Sequence, residues 1–149
     1  MLNRDFKEFA ESFNACGVEY PVVGGYALAA HGHPRYTGNI DFWIAPSPIN
    51  VERVLRALSQ FGFGSLGLVA ADFSPETVVQ LGHPPRRIDL LTGIDGVDFD
   101  ACWGRREKLD LDGLRLNFIG LEDFKTNKRA TGRLKDLADL EALEPPKSV

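Results

Sequence analysis

The sequence predicts an α/β chain of α+β character, a mixed β-sheet flanked by helices, with further helices closing the C-terminal end. Three observations predict it. Apolar residues recur at helical spacing near the N-terminus and again over residues 46–61. Polar and apolar residues alternate in "GNIDFWIA" and "RRIDLLTGI". The order that results is helix, strand, helix, strand, helix, then strands, then helices, which is the pattern of a sheet covered by helices.

From Asn3 to Cys16, the residues Phe6, Phe9, Phe13 and Cys16 share one helical face, and Gly17 stands where such a helix stops. "VEYPVVGG" predicts a short buried strand running into a glycine pair, and "YALAAHG" a compact helix closed by Gly32 and Pro34. "GNIDFWIA" predicts the second strand. Pro46 to Phe61 reads as a helix with Val51, Val54, Leu55 and Leu58 on one face and Gly62 after it. Residues 63–85 carry a short helix or turn, then a strand at "TVVQLG". "RRIDLLTGI" predicts a further strand, and Asp112-Gly113 between the alternating runs of "KLDLDGLRLNFI" predicts a hairpin. Helices from Leu121 to Thr131 and from Leu134 to Leu143, split by Gly132, close the chain before a frayed tail, "EPPKSV".

A length of 149 residues predicts one domain over 1–149, large enough to bury a substantial core. The longest apolar runs fall far short of the roughly 20 residues that span a bilayer. The start, "MLNRDFKEFAESF", carries acids and lacks the apolar stretch of a signal peptide. Cys16 and Cys102 are too few and too separated for a metal site and read as buried small hydrophobes, so a cytoplasmic protein is expected. The net charge of −4 argues against non-specific coating of nucleic acid. Residues 103–135 nevertheless hold nine Lys or Arg against five Asp or Glu, +4 locally against −8 elsewhere. That stretch is either a solvated helical face or a phosphate-facing patch.

On the second strand Asn39 and Asp41 point the same way, about 6.5 Å apart along the chain, while Ile40, Phe42 and Ile44 point to the buried side. Asp89 lies between Ile88 and Leu90 and shares its face with Arg87. Acids inside apolar strands are costly to place without a partner. Two strands side by side would aim Asn39, Asp41 and Asp89 at one spot, where oxygen ligands suit Mg²⁺. In the plainer reading, Asp41 caps a turn or pairs with Arg35, and Asp89 pairs with Arg86 or Arg87. Gly24-Gly25, between strand and helix, suits close approach of a phosphate, although many tight turns use such a pair. His31 and His33 read as turn or packing residues, and Arg35 could orient Asp41 or reach a phosphate.

Together, "VVGGYALAAHG", "TGNIDFWI" and "RRIDLL" resemble the nucleotidyltransferase fold of the DNA polymerase beta superfamily. The shared pattern is a glycine pair opening a helix, Asp-x-Asp or Asp-x-Glu on the next strand, and one later acid on a neighbouring strand. "LEDFKTNKRATGRLKDLADLEAL" resembles the tail of small bacterial nucleotidyltransferases related to abortive-infection and toxin–antitoxin families, so the likeness covers nearly the whole chain. It implies an NTP substrate such as ATP, Mg²⁺ or Mn²⁺ as cofactor, and tRNA, other RNA or a cognate toxin or antitoxin protein as partner.

Carried over by residue, the resemblance implies that Gly24 and Gly25 contact the triphosphate and that Asp41 binds metal. It implies that Asp89 ligates a second ion and activates the acceptor hydroxyl. Lys128, with Lys125 and Arg129 on its face, would neutralise phosphate, and the Lys135-Asp136 pair would touch triphosphate or base. Asn39 stands where the family has its first aspartate, either as a natural variant or as an introduced replacement. An amide offers a metal only a neutral oxygen, which weakens catalysis more than binding. Two expectations follow: a metal-dependent nucleotidyltransferase of reduced activity, or a domain of the same fold that binds nucleotide or partner without chemistry.

Overall fold

Phe6, Phe9 and Phe13 recur every three or four residues, and they are buried together with Ala10 along helix α1 (Arg4–Ala15). Asn3 caps that helix, its side chain accepting from the Phe6 N–H at 2.9 Å. The structure, a computed structural model, describes residues 2–33, 37–62 and 66–143. Arg35, the candidate partner of Asp41, and the expected frayed tail at 144–149 lie outside the described residues.

After α1 come β1 (Val22–Val23), α2 (Gly24–Ala30), β2 (Asn39–Trp43) and α3 (Pro48–Phe61). A 3₁₀ turn at Ala70–Phe73 leads to β3 (Val78–Leu81) and β4 (Arg87–Leu91). Then follow α4 (Phe99–Gly104), β5 (Glu107–Leu111), β6 (Leu114–Phe118), α5 (Leu121–Thr131) and α6 (Leu134–Leu143). The strands form one mixed sheet in the order β3-β4-β2-β1-β6-β5, with β2 parallel to β4 and antiparallel to β1. The predicted hairpin joins β5 and β6, with Asp112 and Gly113 at φ 53° and 81° as a two-residue turn of that hand requires.

Two elements depart from the sequence reading. The first strand is only two residues long, because Pro21 has no N–H to donate to the ladder; its carbonyl still accepts from Trp43 N at 3.0 Å. Helix α4 has no counterpart in the sequence reading, since six residues are too few to show a period. Asp98 caps it, accepting from Ala101 N, and it buries Phe99 and Cys102.

Phe42 on β2 joins the sheet to α1. Its ring lies 5.4 Å from Phe9, 5.2 Å from Phe13 and 5.3 Å from Tyr20, and Ile40 and Ile44 flank it in the core. The opposite face of β2 carries Asn39, Asp41 and Trp43, the last covered by Phe99 of α4 with ring centroids 5.0 Å apart.

Asn50, in the first turn of α3, ties these segments together. Its Oδ1 accepts from Glu19 N at 2.7 Å, and its Nδ2 donates to Glu19 O at 3.1 Å and Ala45 O at 2.9 Å. At 2 % exposure the Asn50 amide has no water to fall back on. Asn50→Ala should therefore cost about 3 kcal/mol, roughly 1 kcal/mol per bond lost. The check is a lowered urea midpoint at unchanged slope.

Candidate active site

Strands β2 and β4 run parallel in a register that sets Asn39 beside Arg87, Asp41 beside Asp89 and Trp43 beside Leu91, all on one face. Phe42 in the aromatic core holds that register, since a slip of one residue would turn Asp41 inward. Asp41 and Asp89 are thus neighbours across one strand spacing. Asn39 Nδ2 donates to Asp41 Oδ1 at 2.7 Å and to Asp89 Oδ2 at 3.1 Å. Arg87 forks onto the same Asp89, Nε to Oδ1 at 3.0 Å and Nη2 to Oδ2 at 3.1 Å. Burial first, then the neighbouring Asp89 charge, push the Asp41 carboxyl up from 3.8 to about 7. Arg87 and the Asn39 amide pull the other way.

The glycine pair is demanded by this arrangement. Gly24 sits at φ 70°, and a Cβ there would fall onto Asp41 Oδ2. A Cβ on Gly25 would come within 3.2 Å of Thr37 Oγ1. Gly24 therefore makes room for the carboxylate itself, a role the sequence reading does not contain.

Across the cleft, α5 and α6 meet at Gly132, which turns the chain at φ 67°. Lys128 of α5 is buried between Asp136 and Asp139 of α6, with Nζ at 3.0 Å and 3.1 Å from their carboxylates. Arg133 adds a bond to Asp136 at 2.7 Å. Burial alone would raise the Asp136 carboxyl, but Arg133 and Lys128 outweigh it and hold it down to about 2. The buried residues of α6 are these two aspartates, while Leu134 is 87 % exposed, so charge rather than apolar packing docks the helix. Asp136, expected to contact triphosphate or base, anchors α6 through these ion pairs and also lines the cleft.

Two cavities open beside Asp41, sharing Gly24, Lys128 and Arg133 as common walls. The more polar one, about 490 Å³, is lined by Gly25, Thr37, Gly38, Asn39 and Lys135. The other, about 380 Å³, adds Leu91, Ile94, Asp95, Asn127, Thr131 and Asp136. Asn39, Asp41, Gly24, Gly25, Lys128 and Lys135 are thus gathered around one cleft, Asp136 lines its wall, and Asp89 is buried beside Asp41 without lining either cavity. Lys125, by contrast, lies 3.6 Å from Glu122 along its own helix. His31 packs as expected, its Nε2 2.8 Å from Ile119 O and its ring edge-on to Phe124.

The sequence reading missed Arg133, Asp139, Asp95 and Asn127. Arg133 and Asp139 carried a signal, the charge alternation of "RLKDLAD" at helical spacing, while Asp95 and Asn127 carried none. The pairing of Asp89 with Arg87, one of its alternatives, is present.

Among the described residues no three His, Cys, Asp or Glu cluster in a way suited to a metal ion. What exists is a pair of carboxylates with an amide between them. The donor set nevertheless fits one hard cation: the carboxylates are adjacent, and N–H groups from Asn39 and Arg87 already occupy the place where positive charge is wanted. Turning the Asn39 amide would present its Oδ1 in the same place.

No protein-family profile matches the chain. A protein of Burkholderia multivorans named aminomethyltransferase is 29 % identical over 133 residues, which cover 83 % of this chain and 34 % of that protein. The chain thus spans about a third of the length of the curated relative it matches. The crystal structure of a Thermotoga maritima protein, provisionally described as a nucleotidyltransferase, superposes with a TM-score of 0.59. It shares 15 % identity, covering 94 % of this chain and 88 % of that one. The chain therefore has the fold of that protein, a mixed sheet with flanking helices.

Two outcomes test the site's electrostatics. A carboxyl whose folded pKa is raised stabilises the fold below its unfolded value and loses that contribution as pH climbs. For Asp41 the loss runs from about pH 4 to about pH 7. Asp41→Asn should remove this dependence, so that the variant gains on the parent steadily as pH rises across that window in urea titrations. Lys128→Met should strip two buried carboxylates of their lysine and cost about 3 kcal/mol or more. Hydrogen exchange should then show α6 losing protection while β2 and β4 keep theirs.

Proposed function

We propose that the chain is a metal-dependent nucleotidyltransferase of reduced activity, which moves a nucleoside monophosphate from an NTP to a hydroxyl on RNA or protein. One observation carries this reading: Asp41 and Asp89 stand side by side on parallel strands, and Asp41 opens onto a cleft walled by glycines and cations. Asp41, Asp89 and the Asn39 carbonyl would hold Mg²⁺ or Mn²⁺, which when bound supplies Lewis-acid stabilisation of phosphate charge. Gly24 and Gly25 allow phosphate oxygens close to the backbone, and Lys135, Arg133 and Lys128 offset their charge. The acceptor oxygen attacks the α-phosphorus, the bond to pyrophosphate breaks, and the hydroxyl proton passes to Asp89. Arg87 must release Asp89 for this, and its 30 % side-chain exposure leaves it space to do so.

No helix among the described residues is long and apolar enough to cross a membrane, which is in keeping with a cytoplasmic role. A cognate toxin or antitoxin protein, or tRNA, is the acceptor this reading favours. The aminomethyltransferase name belongs to a protein of which the match covers only 34 %. Paired carboxylates facing a cationic wall suit a phosphate-bearing ligand better than an amine-bound one-carbon unit.

Asn39 favours a second reading, a domain that binds nucleotide without chemistry, because its amide already hydrogen-bonds both acids and Arg87 pairs with one of them. Label transfer from the four α-labelled NTPs to tRNA or lysate protein separates the two when run beside calorimetry. Under the enzyme reading, Asn39→Asp raises divalent-dependent transfer by about 100-fold or more. Binding without transfer in both forms supports the second reading, and equal turnover by both removes position 39 from the mechanism.

A further inference from the structure

This inference rests on the nucleotide reading and concerns which base the site takes. Beyond the shared Gly24, Asp41, Lys128 and Arg133, the two lobes of the cleft differ: the polar one adds Gly25, Thr37 and Lys135, and the other adds Val23, Leu91 and Ile94 with Asp95, Asn127 and Thr131. A volume of about 380 Å³ is in the range of small-ligand sites, and aliphatic walls suit the faces of a planar ring.

The polar edge offers acceptors. Asn127 spends an amide hydrogen on Asp95 O at 2.9 Å, which ties α5 to the Gly93–Asp95 segment and leaves Oδ1 as its acceptor. Thr131 spends its hydroxyl proton on Asn127 O at 2.9 Å. The exposed Asp95 carboxylate attracts the Arg133 guanidinium of the same lobe at longer range, and its two oxygens form an acceptor-only fork. Guanine alone of the four common bases presents two adjacent donors, N1–H and the 2-amino group, on one edge. Adenine and cytosine set a ring-nitrogen acceptor beside their amino group, and uracil flanks its N–H with carbonyls; those acceptors would face a carboxylate and be repelled.

We propose that this lobe is a base-reading pocket in which Asp95, steadied by Asn127, selects guanine, so that the nucleotide bound is a guanosine triphosphate. Asp95 forms two parallel, charge-assisted hydrogen bonds to the guanine edge. Asp95→Asn keeps one acceptor and gains one donor, which matches xanthine, where a carbonyl replaces the 2-amino group.

Calorimetry on the full chain with Mg²⁺ tests this with GTP, ATP, CTP, UTP, XTP and inorganic tripolyphosphate. The parent should bind GTP about tenfold or more tighter than the other three common NTPs. Asp95→Asn should lose that preference and bind XTP more tightly than GTP, while its affinity for tripolyphosphate stays as in the parent. Four NTPs bound equally by the parent, or a GTP preference that survives Asp95→Asn, overturns the base assignment while tripolyphosphate binding upholds the phosphate site. Failure of every nucleotide and of tripolyphosphate to bind overturns both.

Discussion

Two aspartates share one register on adjacent parallel strands, and most of the cleft follows from the need to hold them there. Like charges a strand spacing apart on a half-buried face repel, and burial removes the water that would screen them. The fold answers with hydrogen-bond donors: the Asn39 amide bridges both carboxylates, the Arg87 fork closes on Asp89, and the raised Asp41 pKa records the strain that remains. Gly24 yields its side-chain space to Asp41 for the same reason. Behind the sheet, the aromatic cluster around Phe42 keeps β2 from slipping and so keeps Asp41 facing the cleft and beside Asp89.

The opposite wall is built on a different principle. Helix α6 turns its aspartates inward and leaves Leu134 outward, reversing the usual amphipathic arrangement. Buried ion pairs return little net stability once desolvation is counted, yet breaking one is expensive. α6 is thereby set in one orientation by Lys128, Arg133 and two acids, and its seat depends on charge balance inside the cleft. Lys128 faces two ways at once, wall of both cavities and counter-ion of α6, so any anion drawn to it competes with the aspartates that hold the helix.

Legibility in the sequence tracked the range of the interactions involved. Helices α1 and α3, the hairpin at Asp112-Gly113 and the strands carrying Asp41 and Asp89 were readable because periodicity and turn chemistry are local. Helix α4 was not, being six residues long, and β1 was overestimated because the missing donor of Pro21 matters only once a partner strand is beside it. The Lys128 face read as a cationic surface because helical spacing reports which residues share a side, and says nothing of the carboxylates α6 brings against it.

By itself, then, the order of residues determined the alternation that sends Asn39, Asp41 and Asp89 to strand faces opposite the apolar core, since side-chain direction along a strand is a local property. Only the tertiary structure decided that β2 and β4 pair in parallel with 41 beside 89, that Asn39 hydrogen-bonds both acids while Arg87 pairs with Asp89, and that Asp95 and Asn127 line the second lobe. Those are contacts between residues far apart in the chain. Their geometry is set by how the sheet and helices pack together, which no window of sequence contains.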